Sequence, residues 1–345
     1  MTGIVLSDPT YCPRETQGLS ERAAAHVIRD PRDAPFLNLM VLLTVTVIPS
    51  GVALFLPGAF RWWLAGAHFA LVIYFMGPFV LMLHNTSHRT LFKRSWGWMN
   101  KYIPWVLGPF FGESPETYFA HHVGMHHAEN NLEADLSSTL PYRRDSLVDF
   151  LIYFGKFFAG ALFQLLGYFA KKRRYSLLVR CAAGELLFYA VVTGLFFVNW
   201  RATLIVFAMP FVITRFAMMA GNWGQHAFVD EASPANNYRN SITCINSSYN
   251  RRCFNDGYHI GHHLKSTRHW TEMPGEFTRN IETYAAEKAI VFRGIDFFVV
   301  WMFLMLKRYD WLAARMVSLG DAQPSLEQSI ALLRSRTQWT NEGSG

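Results

Sequence analysis

The sequence predicts an all-α integral membrane protein, with four transmembrane helices and a helical cytoplasmic cap that holds a histidine-rich dimetal site. Three observations predict it. Hydrophobic residues make up 51% of the chain and charged residues only 17%, whereas soluble domains carry about a quarter charged residues. The apolar residues form uninterrupted stretches long enough to cross about 30 Å of hydrocarbon. Most of the 13 histidines lie in polar segments at the ends of those stretches.

Residues 1–34 form a polar arm, with a short helix predicted around 20–28 and no signal-peptide core. No charge appears from 36 to 56, the first span, in which Pro49 and Gly51 predict a kink. A short turn leads into 63–83, a second span free of Asp, Glu, Lys and Arg that ends directly at His84. The two make an antiparallel hairpin. The apolar run 103–111 is too short to span as a helix. Three apolar stretches follow at 147–170, 177–198 and 202–220. The run Lys171-Lys172-Arg173-Arg174 separates the first from the second, and a tight turn at Asn199-Trp200-Arg201 joins the second to the third. The last apolar stretch, 289–306, carries Arg293 and Asp296 and reads as interfacial. The domain boundaries that follow are 1–34, 35–275 and 276–345.

Charge sets the expected topology. Arg22, Arg29 and Arg32 place the N-terminus inside, and two spans return the chain inside at His84. Keeping the cluster 171–174 inside requires 147–170 to begin and end there, as a re-entrant or surface helix. The hairpin 177–198/202–220 then leaves both termini and every histidine box on the cytoplasmic side. In the alternative, 147–170 crosses and strands the later histidines outside. The net charge of +7 fits loops beside anionic lipid. No basic stripe with stacking aromatics points to nucleic acid. The four cysteines form no C-x-x-C pair, which excludes a zinc ribbon, a fused rubredoxin and a disulfide framework.

The histidines carry the chemistry. His84 and His88 stand four apart in HNTSH; on a continuing helix they share one face, about 6 Å apart along the axis. In HHVGMHH, His122 and His126 again share a face, with His127 beside them. His259, His262 and His263 form an i, i+3, i+4 set in HIGHH, and His226 follows Asn222 by four. Neutral imidazole suits iron, zinc and copper, and ligands four apart on a helix point at one ion. Nine imidazoles exceed what one ion accepts, so the economical inference is two. A single H-x-x-x-H pair is commonly accidental; clusters from four separate stretches at one membrane face are not. There is no H-E-x-x-H zincin motif, no Glu-x-x-His of soluble diiron bundles, and no G-x-S-x-G motif. A metal transporter or receptor would place its ligands near the midplane on broken helices; here they sit at span ends.

HNTSH, HHVGMHH, NWGQH and NDGYHIGHH, in this order and separated by paired spans, resemble the membrane fatty acid desaturase and hydroxylase superfamily over roughly residues 35–275. The resemblance implies two irons held by His84, His88, His122, His126, His127, His226, His259, His262 and His263, with Asn222 acting on iron through water. It implies dioxygen as co-substrate, a long acyl-lipid or acyl-thioester substrate, and oxidative attack on an unactivated C–H bond. No fused donor is visible, so a separate ferredoxin, rubredoxin or cytochrome-type protein is implied. The second box departs from the usual H-x-x-H-H, since three residues separate His122 from His126. Membrane alkane hydroxylases share that longer form, which keeps a hydroxylase or alkane monooxygenase open beside a desaturase. The third box, with Gly257-Tyr258 before it, is closer to desaturases.

Glu129, Asp135, Asp230 and Asp256 lie near the boxes and are candidates to orient ligating rings or to be plain surface carboxylates. His68 is expected to be structural, His26 a helix-surface residue, and His269 is ambiguous. Glu185 and Arg215 flank Trp200 symmetrically. Antiparallel helices would bring them to one depth, roughly 22 Å from the turn, as a structural pair or beside a substrate channel.

Overall fold

The computed structural model describes residues 4–12, 24–320 and 323–338. The helix expected at 20–28 falls partly outside them, as does Arg22; residues 24–27 are helical. The chain is predominantly helical, and a two-stranded sheet is the only sheet among the described residues.

The spans form where the sequence offers long apolar runs with helix-starting signals. α1 is Ala34–Ala53. It follows a single 3₁₀ turn, Pro31–Asp33, that starts with proline at its first position while the Asp30 side chain accepts from the backbone N–H of Arg32, which satisfies an otherwise unpaired amide. α2, Trp62–His88, continues through His84 and His88 without a break. A short α3, Thr117–His121, leads into the second histidine box. α4 is Leu147–Lys171, α5 is Tyr175–Thr203 and α6 is Met209–Gln225.

Among the described residues, four helical stretches are long and apolar enough to cross a membrane: Pro31–Ala53, Trp62–His88, Leu147–Lys171 and Tyr175–Gln225. The last is broken at Asn199, whose backbone is extended at φ −155° and ψ 94°. The Asn199 side chain caps the returning limb by accepting from Ala202 N, and it donates to Leu54 O at 3.2 Å. The two limbs run antiparallel, as the turn predicts. Arg215 reaches Glu185 at 3.4 Å, although thirty intervening steps of continuous helix would separate them by roughly 45 Å. Leu147–Lys171, which the charge pattern reads as non-crossing, also has the length and composition to cross.

The chain divides into two compact units, 1–10/125–161/217–345 and 11–124/162–216. The second unit contains α1, α2, α3, α5 and the adjoining parts of α4 and α6. Exposed Trp62, Trp63 and Trp200 lie at the turns joining its apolar helices, as expected of a membrane interface. Its buried polar centre joins Ser114 to Glu185, and the Arg215 guanidinium donates to Gly112 O at 2.6 Å. Gly112 has φ +75°, and a Cβ there would stand 2.4 Å from the Phe211 Cα, so only glycine lets this loop meet the α6 backbone.

The first unit is built on β1, Ile242–Ile245, and β2, Ile290–Arg293, which pair in parallel. Both are apolar and almost wholly buried, as parallel strands covered on both faces should be. α7, His259–Leu264, lies on the crossover between the strands. α8, Phe297–Met305, is nine residues long and too short to span, and α9, Leu326–Ser335, closes the unit. Ala227, Phe228, Cys244, Phe292, Leu304 and Leu333 share one core.

Candidate metal centre

In the first unit, His126, His226, His259 and His263 converge: one nitrogen from each lies within 4.8 Å of all the others. Nitrogens bound to a common ion at about 2.1 Å stand roughly 3–4 Å apart. The Nε2 atoms of His259 and His226 are 3.3 Å apart, and those of His263 and His259 are 3.0 Å apart. His127 and His262 face each other with Nε2 atoms 2.8 Å apart. In the second unit, His84, His88 and His122 gather, with ring centroids at 5.2, 4.5 and 5.1 Å. The Tyr118 ring stacks on His122 at 5.2 Å.

The far side of each ring decides which nitrogen is available. His226 Nδ1 lies 2.8 Å from the carbonyl of Asn240. A carbonyl only accepts, so Nδ1 carries the proton and Nε2 keeps its lone pair for the cluster. His126 Nδ1 lies 2.7 Å from Asp135 Oδ2, the carboxylate–imidazole arrangement usual behind a metal-bound ring. Asp135 is itself fixed by the amides of Asn131 and Ser137 and by the Ser137 hydroxyl. Burial alone would raise its pKa, but the His126 ring and the Ser137 hydrogen bonds hold it well below the usual carboxylate range. Burial, reinforced by the neighbouring His126, pushes His226 down to about 4. Burial and the surrounding imidazoles also lower His263. His226 and His263 are therefore neutral at pH 7, as metal ligation requires. The donor set, four convergent imidazoles with the far nitrogens of His126 and His226 locked, fits a divalent transition metal.

Local sequence explains these positions. The box His122–His126 is wound as a π-helix, a wide turn that absorbs one extra residue and recurs at functional sites. The departure from H-x-x-H-H is accommodated there. Asn130 and Asn131 follow in left-handed conformation, at φ 54° and 59°, which asparagine tolerates better than most residues. The third box is anchored by Gly257, where a Cβ would stand 2.3 Å from Cys244 O on β1, and by Tyr258, whose hydroxyl donates to Asp8.

All nine predicted histidines enter a cluster or face another histidine of the set, but not with the partners spacing alone suggests. His122 joins His84 and His88, while His126 joins His226, His259 and His263. Within HIGHH, His259 and His263 belong together and His262 turns to His127. Asn222 directs its amide N–H groups to Ser137 O and the Tyr153 hydroxyl, at 2.9 and 2.7 Å. Of the nearby carboxylates, Asp135 meets the His126 ring; Asp230 pairs with Arg239 and Arg336 at 3.7 Å, and Asp256 accepts from Tyr249. His68 is buried against Ser50 at 2.9 Å, a structural role. His269 caps the turn Trp270–Glu272. The Asn240 carbonyl is the contact that sequence reasoning missed, because a main-chain acceptor leaves no side-chain signature.

The lowered His226 has a measurable consequence in metal-free protein. Its unfolded-state pKa is near 6.5 and its folded value about 4. Its contribution to stability is therefore complete above about pH 6.5 and is lost as pH falls toward 4, amounting to roughly 3 kcal/mol. Thermal unfolding of apoprotein in detergent should move to lower temperature across that window. A midpoint unchanged between pH 6.5 and 4 would contradict the buried neutral ring.

No curated protein and no solved structure matches the chain. The profile of the fatty acid desaturase family matches residues 61–296, more than half of the sequence, and this stretch holds all the clustered histidines. The chain therefore belongs to the fatty acid desaturase family, and it is a membrane oxidoreductase of desaturase type that acts on lipid.

Proposed function

We propose that this protein is a fatty acyl desaturase that uses two irons, dioxygen and electrons from a separate donor protein to introduce a double bond into a long acyl chain. The observation that carries the proposal is the convergence of four imidazoles, three buried and one half-buried, of which His126 is oriented by Asp135 and His226 by Asn240. His126, His226, His259 and His263 would hold one iron. His84, His88 and His122 would hold the other; His127 and His262 are the remaining two ligands that the family resemblance implies. Imidazole alone also suits zinc or copper; membership of a generally iron-dependent family favours iron. When bound, the irons would supply the reduction of dioxygen to two waters, drawing two hydrogens from the substrate and two electrons with two protons from outside. Thr139, which donates to His226 O at 2.8 Å, holds the ligand-bearing backbone. With both amide hydrogens of Asn222 committed, its Oδ1 would be the atom to accept a hydrogen bond from a water held by the iron.

The catalytic part covers 35–275, preceded by a polar arm and followed by an interfacial helix and tail. The acyl chain comes from the bilayer or from a soluble carrier. The donor is of ferredoxin, rubredoxin or cytochrome type. Expression in a host of known lipid profile, followed by mass spectrometry, tests the reading. A new double bond supports it, a new hydroxyl transfers the protein to the hydroxylases, and an unchanged profile with donor supplied argues against both. Purified protein should carry about two irons per chain; zinc at one per chain after anaerobic reconstitution would sink the diiron assignment.

Both termini and the histidine boxes belong on the cytoplasmic face, with Leu147–Lys171 not crossing. Single cysteines at Ser146, Ser176 and Lys265 should then react with an impermeant thiol reagent from the cytoplasmic side. A cysteine at Trp200 should react only from the opposite side. Labelling of the Ser146 and Ser176 positions from opposite faces would mean that this helix spans.

A further inference from the structure

We infer that Arg144 and the C-terminal segment 326–338, which lies wholly outside the stretch matched by the desaturase family, form a positioning element for the metal ligand His226. The inference rests on the assignment of His226 as a ligand.

Arg144 is fully buried, an unusual place for a cation unless its donors are all used. Its nearest carboxylate oxygen, on Glu231, is only at 3.5 Å, so main-chain oxygens do most of the work. The Nε donates to Ala227 O at 3.1 Å, directly after the ligand. One terminal nitrogen donates to Arg336 O and Gln338 O at 3.0 and 3.1 Å. The backbone closes the same loop: Arg144 N donates to Thr337 O at 3.0 Å, and Trp223 Nε1 donates to Arg144 O at 2.9 Å. One guanidinium thus ties the residue after His226 to the end of the chain, and Trp223 ties in the helical turn before it.

Packing adds a second grip. Leu333, on α9, is completely buried in the core that contains Ala227 and Phe228. The Thr337 hydroxyl meets the Tyr309 hydroxyl at 2.8 Å. The His226 ring is fixed at Nδ1 by Asn240, but a ring also needs its backbone held if its lone pair is to stay on target, and carbonyl anchoring at residues 226 and 227 does this. A guanidinium is suited to the task because its planar fork presents several donors in fixed directions. An ammonium at the same place is a point charge that cannot span the three carbonyls.

The test uses full-length Arg144→Lys, together with Leu333→Ala, which loosens the tail from a core position outside the predicted ligand set. Iron per chain and the rate of iron loss to a chelator are measured beside far-ultraviolet circular dichroism and size-exclusion profiles. Wild-type protein should hold two irons. In both folded variants one of the two should be lost, or should exchange about 10–100-fold faster, the range typical when support behind a metal ligand is removed, while the other is retained at the wild-type rate. Two irons released at wild-type rates from folded Arg144→Lys would overturn the inference and leave the desaturase reading intact. If Arg144→Lys does not fold, Leu333→Ala decides by the same criterion. Wild-type protein that holds no iron after reconstitution would instead remove the reading on which the inference rests.

Discussion

Replacing His84, His126 or His262 with alanine is expected to abolish product, while His68→Ala keeps most of the activity. The three come from different boxes. His84 lies with His88 and His122, His126 with the four-ring group backed by Asp135, and His262 faces His127. Each truncation removes a nitrogen whose partners stay in place, so an ion held there would lose a bond that water replaces poorly. The loss should appear in iron content as well as in turnover. His68 is the control because it is equally buried but bonds Ser50 within its own helical pair. A folded His68→Ala variant that retains iron yet makes no product would show that the site has been misplaced. Normal turnover in His126→Ala would remove the four-ring group from the reaction.

Asp135→Asn should lower iron affinity at the four-ring group, or activity, by about 10–100-fold. The amide is nearly isosteric and still accepts a hydrogen bond, so packing is preserved. What it removes is the negative charge 2.7 Å from His126 Nδ1, and with it the added basicity of the opposite nitrogen. It can also turn its NH₂ toward the ring and favour the wrong tautomer. Asp135→Glu should restore little, because the pocket formed by Asn131 and Ser137 fits the shorter side chain. Iron titration of the purified variants, read beside thermal unfolding, separates ligand orientation from general damage. Wild-type affinity in Asp135→Asn would show that the carboxylate is a packing residue only.

Much of this protein is determined by the sequence itself. Apolar runs without charge dictate α1 and α2, since a helix is the structure that satisfies backbone groups in hydrocarbon. The break at Asn199 and the pairing of Glu185 with Arg215 follow from the symmetric placement of polar residues about a turn. That these histidines gather follows from their number and their separation into four stretches. Spacing did not decide how those histidines are shared. His122 and His126 stand four apart, as do His259 and His263, yet the first pair divides between two groups and the second stays together. Helical periodicity fixes only which residues leave the same side of a helix; which rings meet depends on how distant segments pack, and the π turn at His122–His126 changes even the local angle. The carbonyl of Asn240 and the grip of Arg144 were equally beyond the sequence. Both act through main-chain oxygens, which every residue carries and none advertises, so only the tertiary structure selects the ones that do the holding.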